Sequence, residues 1–260
     1  MGGTEDIEAD LNPRQLAILE TVRGSGYATI EALAEAYGVS AQTVRRDVIR
    51  LDEAGLLQRF HGGAGLPEDG VRLSYRQKRG IAVAAKARIG AAAAALVPDG
   101  ASVYLDVGTT AEAVAAALLP RRLTAIYTNS MGAATILAAA QRTETYLTGG
   151  QVRGADGSLV GAAATAMLAA MAVDIAVIGC SGFAPDGAPT DFDPQKVAVK
   201  QAALAHARKA VLVADAAKFG RDAVLRIAPP ARFAALVTDT APPSALAKAL
   251  AAAGTAVMLG

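Results

Sequence analysis

From residue 101 onward one pattern recurs: a short run rich in Val, Ile, Tyr and Thr, then a helical or glycine-containing segment. The runs are SVYLDV, LTAIYT, TETYLT, VDIAVIG, AVLVAD and FAALVTD. Strand-like runs alternating with helical segments are the signature of βαβ units, so this half is expected to form a largely parallel sheet of the α/β class. Such sheets bind ligands at the carboxyl ends of their strands. The residues that follow each run are therefore the candidates for chemistry.

Asp106 and Gly108-Thr109-Thr110 follow the first run, Asn129 and Ser130 the second, and Gly149-Gly150 the third. The fourth leads into Gly179-Cys180-Ser181-Gly182, the fifth into Asp215 and Lys218-Phe219-Gly220, and the sixth ends at Thr238-Asp239. Glycine, threonine and serine at helix starts present backbone N–H groups and hydroxyls where an anion sits. Lys200 and Lys218 are read as supplying charge, and Asp106 and Asp215 as accepting from sugar hydroxyls. Taken singly, Gly-Thr-Thr is also a plain capping sequence, and a strand-end aspartate often only ties down a loop. Their succession points to a small phosphorylated or polyhydroxylated ligand.

The first 64 residues read differently. Asn12-Pro13 opens a helix with Leu16, Leu19 and Val22 at helical spacing, stopped by Gly24 and Gly26. Thr29 caps a second helix, with Leu33, Ala34 and Tyr37 on one face and Gly38 as its stop. After the turn Gly38-Val39-Ser40, Ser40 caps a third helix over residues 41–54 that ends at Gly55. This is a helix-turn-helix pattern. At 100° per residue Val44, Val48 and Leu51 form the buried stripe of the third helix, while Gln42, Arg45 and Arg46 point away from it. That outward face is the one a helix-turn-helix places in the major groove, where arginine suits guanine and phosphate and glutamine suits adenine. Thr43 stands at its flank, within reach of phosphate, and Arg50 lies one turn further along. Asp47 is read as the orienting partner of a neighbouring basic side chain, and Asp52 and Glu53 as lying beyond the groove. Residues 56–63 read as a small β-wing, with Arg59 and His61 near the DNA backbone.

Residues 12–62 hold six arginines and six acidic residues, so the module lacks the basic excess of most DNA binders. A helical protein-interaction module with a solvated charged face is the competing reading on spacing alone. The overall net charge of +1 names no partner.

Thr43-Val44-Arg45-Arg46-Asp47, followed by Leu51, Gly55 and Gly62-Gly63-Ala64, resembles the signature of the DeoR family of bacterial transcription regulators. The resemblance continues through Asp106 to Thr110, Thr128-Asn129, Gly149-Gly150, Gly161, Asp174, Gly179, Val199-Lys200, Asp215, Lys218-Phe219-Gly220 and Thr238-Asp239, and so covers the chain from Asn12 onward. It implies a winged helix-turn-helix reader and a sensor domain similar in fold to ribose-5-phosphate isomerase. The implied partners are double-stranded operator DNA and a phosphorylated sugar effector, with repression as the family's default. The chain departs from the family's pattern at Lys196, where glutamate is common, and that substitution bears on effector choice.

The expected organisation is a disordered tail over residues 1–11, the winged helix over 12–64, a linker over 65–80 and the sensor over 81–260. The linker, Gly65-Leu66-Pro67-Glu68-Asp69-Gly70, runs into a basic stretch with Arg72, Arg76, Lys78, Arg79, Lys86 and Arg88. An oligomer, dimer or tetramer, is expected because paired readers match paired half-sites. An aldose-ketose isomerase is the rival from another class, with Asp106 or Asp215 as base. It has no need of the N-terminal reader, so no enzymatic activity is expected. Cys180 with His206 makes a poor nucleophile pair, Met167 and Met171 read as core, and no residue spacing suits a metal. No cofactor is expected. A single cysteine, an acidic N-terminus and the lack of a long apolar stretch point to a cytoplasmic protein without a membrane span.

Overall fold

The computed structural model describes residues 11–25, 27–60, 63–65, 80, 82–140, 142–154, 156–221 and 223–260. His61, Gly62 and Gly26, the expected tail except Leu11, and the linker's Arg72, Arg76, Lys78 and Arg79 lie outside the described residues. The chain divides into two compact units, Met1–Leu73 and Ser74–Gly260.

Among its described residues the first unit has three helices, α1 (Pro13–Ser25), α2 (Ile30–Tyr37) and α3 (Ala41–Glu53), and three short strands, β1 (Tyr27–Thr29), β2 (Gln58–Phe60) and β3 (Gly63–Gly65). Thr29 caps α2 by accepting from the Ala32 N–H at 3.0 Å. Gly38 closes α2 in the left-handed conformation, φ 62°, which a residue with a side chain rarely adopts and which makes the sharp turn into α3 possible. Ile18, Leu19, Val22, Ile30, Leu33, Val44, Val48 and Leu51 form one core. The stripe of α1 is thus Ile18, Leu19 and Val22, with Leu16 only half-buried. Gln15, nearly fully buried, takes a place on that helix that the apolar pattern assigns to no polar residue. The wing is present as the antiparallel pair β2–β3, and β1 joins β3 on its other side. Gly65, expected to begin the linker, is instead the last residue of β3, paired with both Tyr27 and Gln58.

The second unit is built on a seven-stranded parallel sheet. Its strands are β4 (Ser102–Leu105), β5 (Ala125–Thr128), β6 (Glu144–Leu147), β9 (Val173–Gly179), β12 (Ala207–Val213), β14 (Ala235–Thr238) and β15 (Ala256–Leu259). They stand in the order β15-β14-β12-β9-β4-β5-β6. Each of the six runs supplies one strand. The seventh, β15, follows the alanine-rich helix α9 (Ser244–Ala252) and is not among the six runs. Side-chain alternation divides each strand between two cores. Val103, Leu105, Val177, Val211 and Val213 meet α4 (Val83–Ala95), α5 (Thr109–Leu118) and α6 (Met131–Ala138). Tyr104, Ala176, Ile178 and Leu212 meet α7 (Ala162–Ala169) and α8 (Pro194–Ala205) on the other face. Both faces of a parallel sheet need such cover, which is why the central strands read as almost continuous apolar runs.

Two smaller sheets sit on this frame: the hairpin β7 (Gln151–Arg153) with β8 (Ser158–Val160), and the trio β10 (Gly182–Phe183), β11 (Pro189–Asp191) and β13 (Leu225–Arg226). Among the described residues no helix is long and apolar enough to cross a membrane.

Candidate functional site

In the first unit Ser40 caps α3: its Oγ accepts from the Thr43 N–H at 3.2 Å and lies 2.9 Å from the Thr43 hydroxyl. Val44, Val48 and Leu51 are fully buried, and Gln42, Arg45, Arg46 and Arg50 are exposed. Asp47 is buried and accepts from Arg14 Nε at 2.6 Å and from Gln15 Nε2 at 3.1 Å. The acid in the middle of the arginine cluster therefore ties α3 to α1 from the inner side, leaving the outward face cationic. The Arg45 guanidinium is 4.0 Å from the Glu31 carboxylate, both largely in solvent, so this pair holds Arg45 only weakly. Arg59 is exposed on β2, and its backbone N–H donates to Asp52 Oδ1 at 3.1 Å. Asp52, which the sequence pattern leaves without a role, fastens the wing to the end of α3.

In the second unit the strand order reverses between β4 and β9: β5 and β6 build outward on one side, β12, β14 and β15 on the other. Open α/β sheets place ligand sites at the carboxyl ends of the strands flanking such a reversal. Asp106, immediately after β4, reaches across that gap. Its Oδ2 accepts from the Gly179 N–H at the end of β9 at 3.0 Å and from Lys200 Nζ on α8. Lys200 Nζ also donates to the Gly179 carbonyl at 3.0 Å and lies 3.4 Å from Asp191 Oδ2. Asp191 is held in turn by Ser181 Oγ at 3.0 Å and by the Phe192 N–H at 2.8 Å. Burial by itself lowers the pKa of the Lys200 ammonium, but the facing carboxylates of Asp106 and Asp191 outweigh it and raise it above the usual lysine range.

The other expected effector residues divide by role. Gly108 is the N-cap of α5, with Thr109 and Thr110 half-buried in its first turn. Asn129 is fully committed to the fold: its Oδ1 accepts from the Tyr104 hydroxyl at 2.9 Å and its Nδ2 donates to the Leu159 carbonyl at 3.1 Å. Ser130 caps α6 by accepting from the Ala133 N–H at 3.1 Å. Gly149 and Gly150 are exposed in the link from β6 to β7. Asp215 accepts from the Ala217 N–H at 3.1 Å, capping the 3-10 turn Ala216–Lys218, and Lys218 at the end of that turn is half-buried. Asp174, part of the same sequence pattern, accepts from the Ser102 backbone and hydroxyl at 2.9 and 2.8 Å, a tie between neighbouring strands at their other end.

Lys196 meets Asp156 at 2.5 Å, and Arg153 pairs with Asp193, the N-cap of α8. One base and one acid of the hairpin, Arg153 and Asp156, thereby grip the first turn of the helix that carries Lys200. A cavity of about 410 Å³ between α4 and α5 shares only Thr109 with the expected effector residues. Cys180 and His206 are not brought together, since the seven residues of β9 separate Cys180 from the strand start that His206 borders. Burial pushes the Cys180 thiol up to about 12, against the pull of Lys218 and Lys200, which makes it a poor nucleophile. Asp191 is the member of this cluster that sequence reasoning missed. It stands on a three-residue strand inside a long connection, where no periodicity or capping pattern marks it.

A winged helix-turn-helix unit with an outward cationic helix, joined in one chain to a parallel α/β unit with a charged cluster at its strand-order reversal, defines a reader-and-sensor class of protein. The family model described as the DeoR-like helix-turn-helix domain matches residues 14–69, and that described as the DeoR C terminal sensor domain matches residues 81–240. The chain belongs to the DeoR family. It is 35% identical to the glycerol-3-phosphate regulon repressor of Escherichia coli (strain K12) over 237 residues, covering 91% of this chain and 94% of that one. It is 37% identical to the HTH-type transcriptional repressor CsqR of the same strain, over 90% of each chain. Among solved structures, ribose 5 phosphate isomerase A from Neisseria gonorrhoeae aligns at 14% identity with a TM-score of 0.38, over 54% of this chain and 53% of that one, a remote likeness.

Proposed function

We propose that this protein is a transcriptional repressor of a carbohydrate operon, acting in the cytoplasm as a dimer or tetramer and released from operator DNA by a phosphorylated sugar or polyol. The observation that carries the reading is the outward face of α3. Gln42, Arg45, Arg46 and Arg50 are exposed on one helix whose inner side is fixed by its apolar stripe and by the Asp47 pair. Arg45 and Arg46 read base edges or phosphate, Ser40 and Thr43 lie at the helix start where phosphate passes, and the exposed Arg59 on β2 reaches the DNA backbone from the wing. The relatives named as repressors, one of them for the glycerol-3-phosphate regulon, support regulation of this kind over the isomerase reading.

The effector binds at the strand-order reversal, with its phosphate at the start of α5, where Gly108, Thr109 and Thr110 offer N–H groups and hydroxyls, and with Lys218 as the cation. Gly149 and Gly150 border it, and Asp106, Lys200 and Asp215 shape it. The test is DNA selected from a random library by the wild-type chain, then titrated with Arg45→Ala and Arg46→Ala. Each lost base contact weakens binding by about 1–3 kcal/mol, and each lost phosphate contact lowers the salt slope by about one. Wild-type affinity and slope in both variants would remove the assignment.

A further inference from the structure

We infer that Arg14, on the helix that precedes the helix-turn-helix pair, contacts a DNA phosphate, and that Asp47 is the residue that aims it. The inference rests on the DNA-binding reading above and adds to it a cation from outside the reading helix and the wing.

Between the buried stripe of α3 and its outward face runs a flank on which Thr43, Asp47 and Arg50 follow one another four and three residues apart, and so share one side of the helix. A hydroxyl and a guanidinium suit a phosphate there, whereas a bare carboxylate between them would repel it. The fold replaces that carboxylate with a cation. Arg14 Nε donates to Asp47 Oδ2 at 2.6 Å and Arg14 Nη2 to Oδ1 at 3.4 Å, and Gln15 Nε2 donates to Oδ1 at 3.1 Å. The Asp47 side chain is left 6% exposed and that of Arg14 36%, so the flank shows solvent a guanidinium where its own sequence has an acid.

A guanidinium carries five N–H donors in one plane. Two are spent on Asp47, and the other three meet no acceptor among the described residues. Because Asp47 takes the edge formed by Nε and Nη2, the edge formed by Nη1 and Nη2 stays open, and two parallel N–H groups on such an edge match two phosphate oxygens. The start of α1 is held before DNA arrives: Asn12 Oδ1 accepts from the Gln15 N–H at 2.9 Å, and Gln15 Oε1 from the Asn12 N–H at 3.1 Å. Arg14 therefore has little side-chain freedom left to lose on binding. A tie between α1 and α3 alone does not require it, since the buried bond from Gln15 to Asp47 already joins the two helices.

The test uses the full-length protein, the selected DNA and an unrelated duplex of equal length, each titrated over a range of salt. Arg14→Met combined with Asp47→Asn removes the pair, and Arg14→Lys keeps a cation, so both have the net charge of the wild type. The methionine variant is expected to bind both duplexes about tenfold more weakly, with the salt slope lowered by about one, while the lysine variant keeps the wild-type slope. Should the methionine variant fail to fold, Arg14→Gln with Asp47→Asn takes its place. An unchanged slope, with a loss confined to the selected DNA, would mark a tie that only places α3 and would overturn the inference. A slope lowered equally by lysine would overturn it too. Arg45→Ala and Arg46→Ala are measured alongside. If they weaken binding while the Arg14 variants match wild type, this inference falls and the DNA reading stands; wild-type binding in every variant removes both.

Discussion

Lys200 illustrates how far a residue's type can be read without its surroundings. From sequence it is a cation at a strand-end site and so a partner for phosphate, whereas in the folded chain its protons face Asp106, Gly179 and Asp191. The difference arises because Asp191 reaches the site from a short strand that no sequence pattern announces. Replacing Lys200 with methionine leaves two buried carboxylates facing no cation, and the expected loss is about 3–5 kcal/mol in urea denaturation. A loss below 1 kcal/mol would mean the cluster is wetter than its burial implies. Asp156 makes a second test. Burial pushes its carboxyl up, but Lys196 and the Ser158 hydrogen bonds outweigh it and hold it below the usual carboxylate range. Its contribution is therefore present above the unfolded pKa and is lost as pH falls through the lower folded value. Lys196→Met should destabilise the protein at pH 7, and the gap from wild type should narrow below about pH 4. A gap that stays constant with pH would contradict the pairing.

At the scale of elements the sequence was most legible where physical constraints are redundant. The runs that became β4, β9, β12 and β14 were legible because burial on both sheet faces demands near-continuous apolar residues, and α3 was legible because Ser40, Val44, Val48 and Leu51 agree on one phase. β15, an exposed edge strand of four apolar residues, was missed although it is as long as β4. Asp47 was legible as an orienting acid, although its partners, Arg14 and Gln15, lie more than thirty positions away in the chain. The close packing of α4 on α5 left no trace beyond one glycine in an alanine run. A Cβ on Gly90 would stand 2.6 Å from the Ala113 carbonyl oxygen, a backbone atom that cannot swing aside. Gly90→Ala should therefore force the helices apart and cost about 1–3 kcal/mol, despite alanine's better helix propensity. Thermal denaturation gives the answer, and a stabilised variant would show that the two helices are not in this contact.

For the whole molecule the account joins two units through one equilibrium. An effector can loosen DNA only if it binds the DNA-free arrangement more tightly than the DNA-bound one, and the DNA must then weaken the effector by the same factor. Charge composition gave no hint of this division of labour, since the reader's six arginines are matched by six acids. The spatial sorting did: Asp47 and Asp52 turn to structural tasks on the inner side and at the wing, while Arg45 and Arg46 remain outward. The most direct measurement is the affinity of the wild-type chain for its selected DNA, at fixed salt, without and with sn-glycerol 3-phosphate, ribose 5-phosphate, glucose 6-phosphate and inorganic phosphate. The expected result is that the sugar or polyol phosphate that binds the free protein weakens DNA binding by about 5–150-fold, with inorganic phosphate giving no comparable effect. Unchanged DNA affinity in the presence of a compound that demonstrably binds would contradict it.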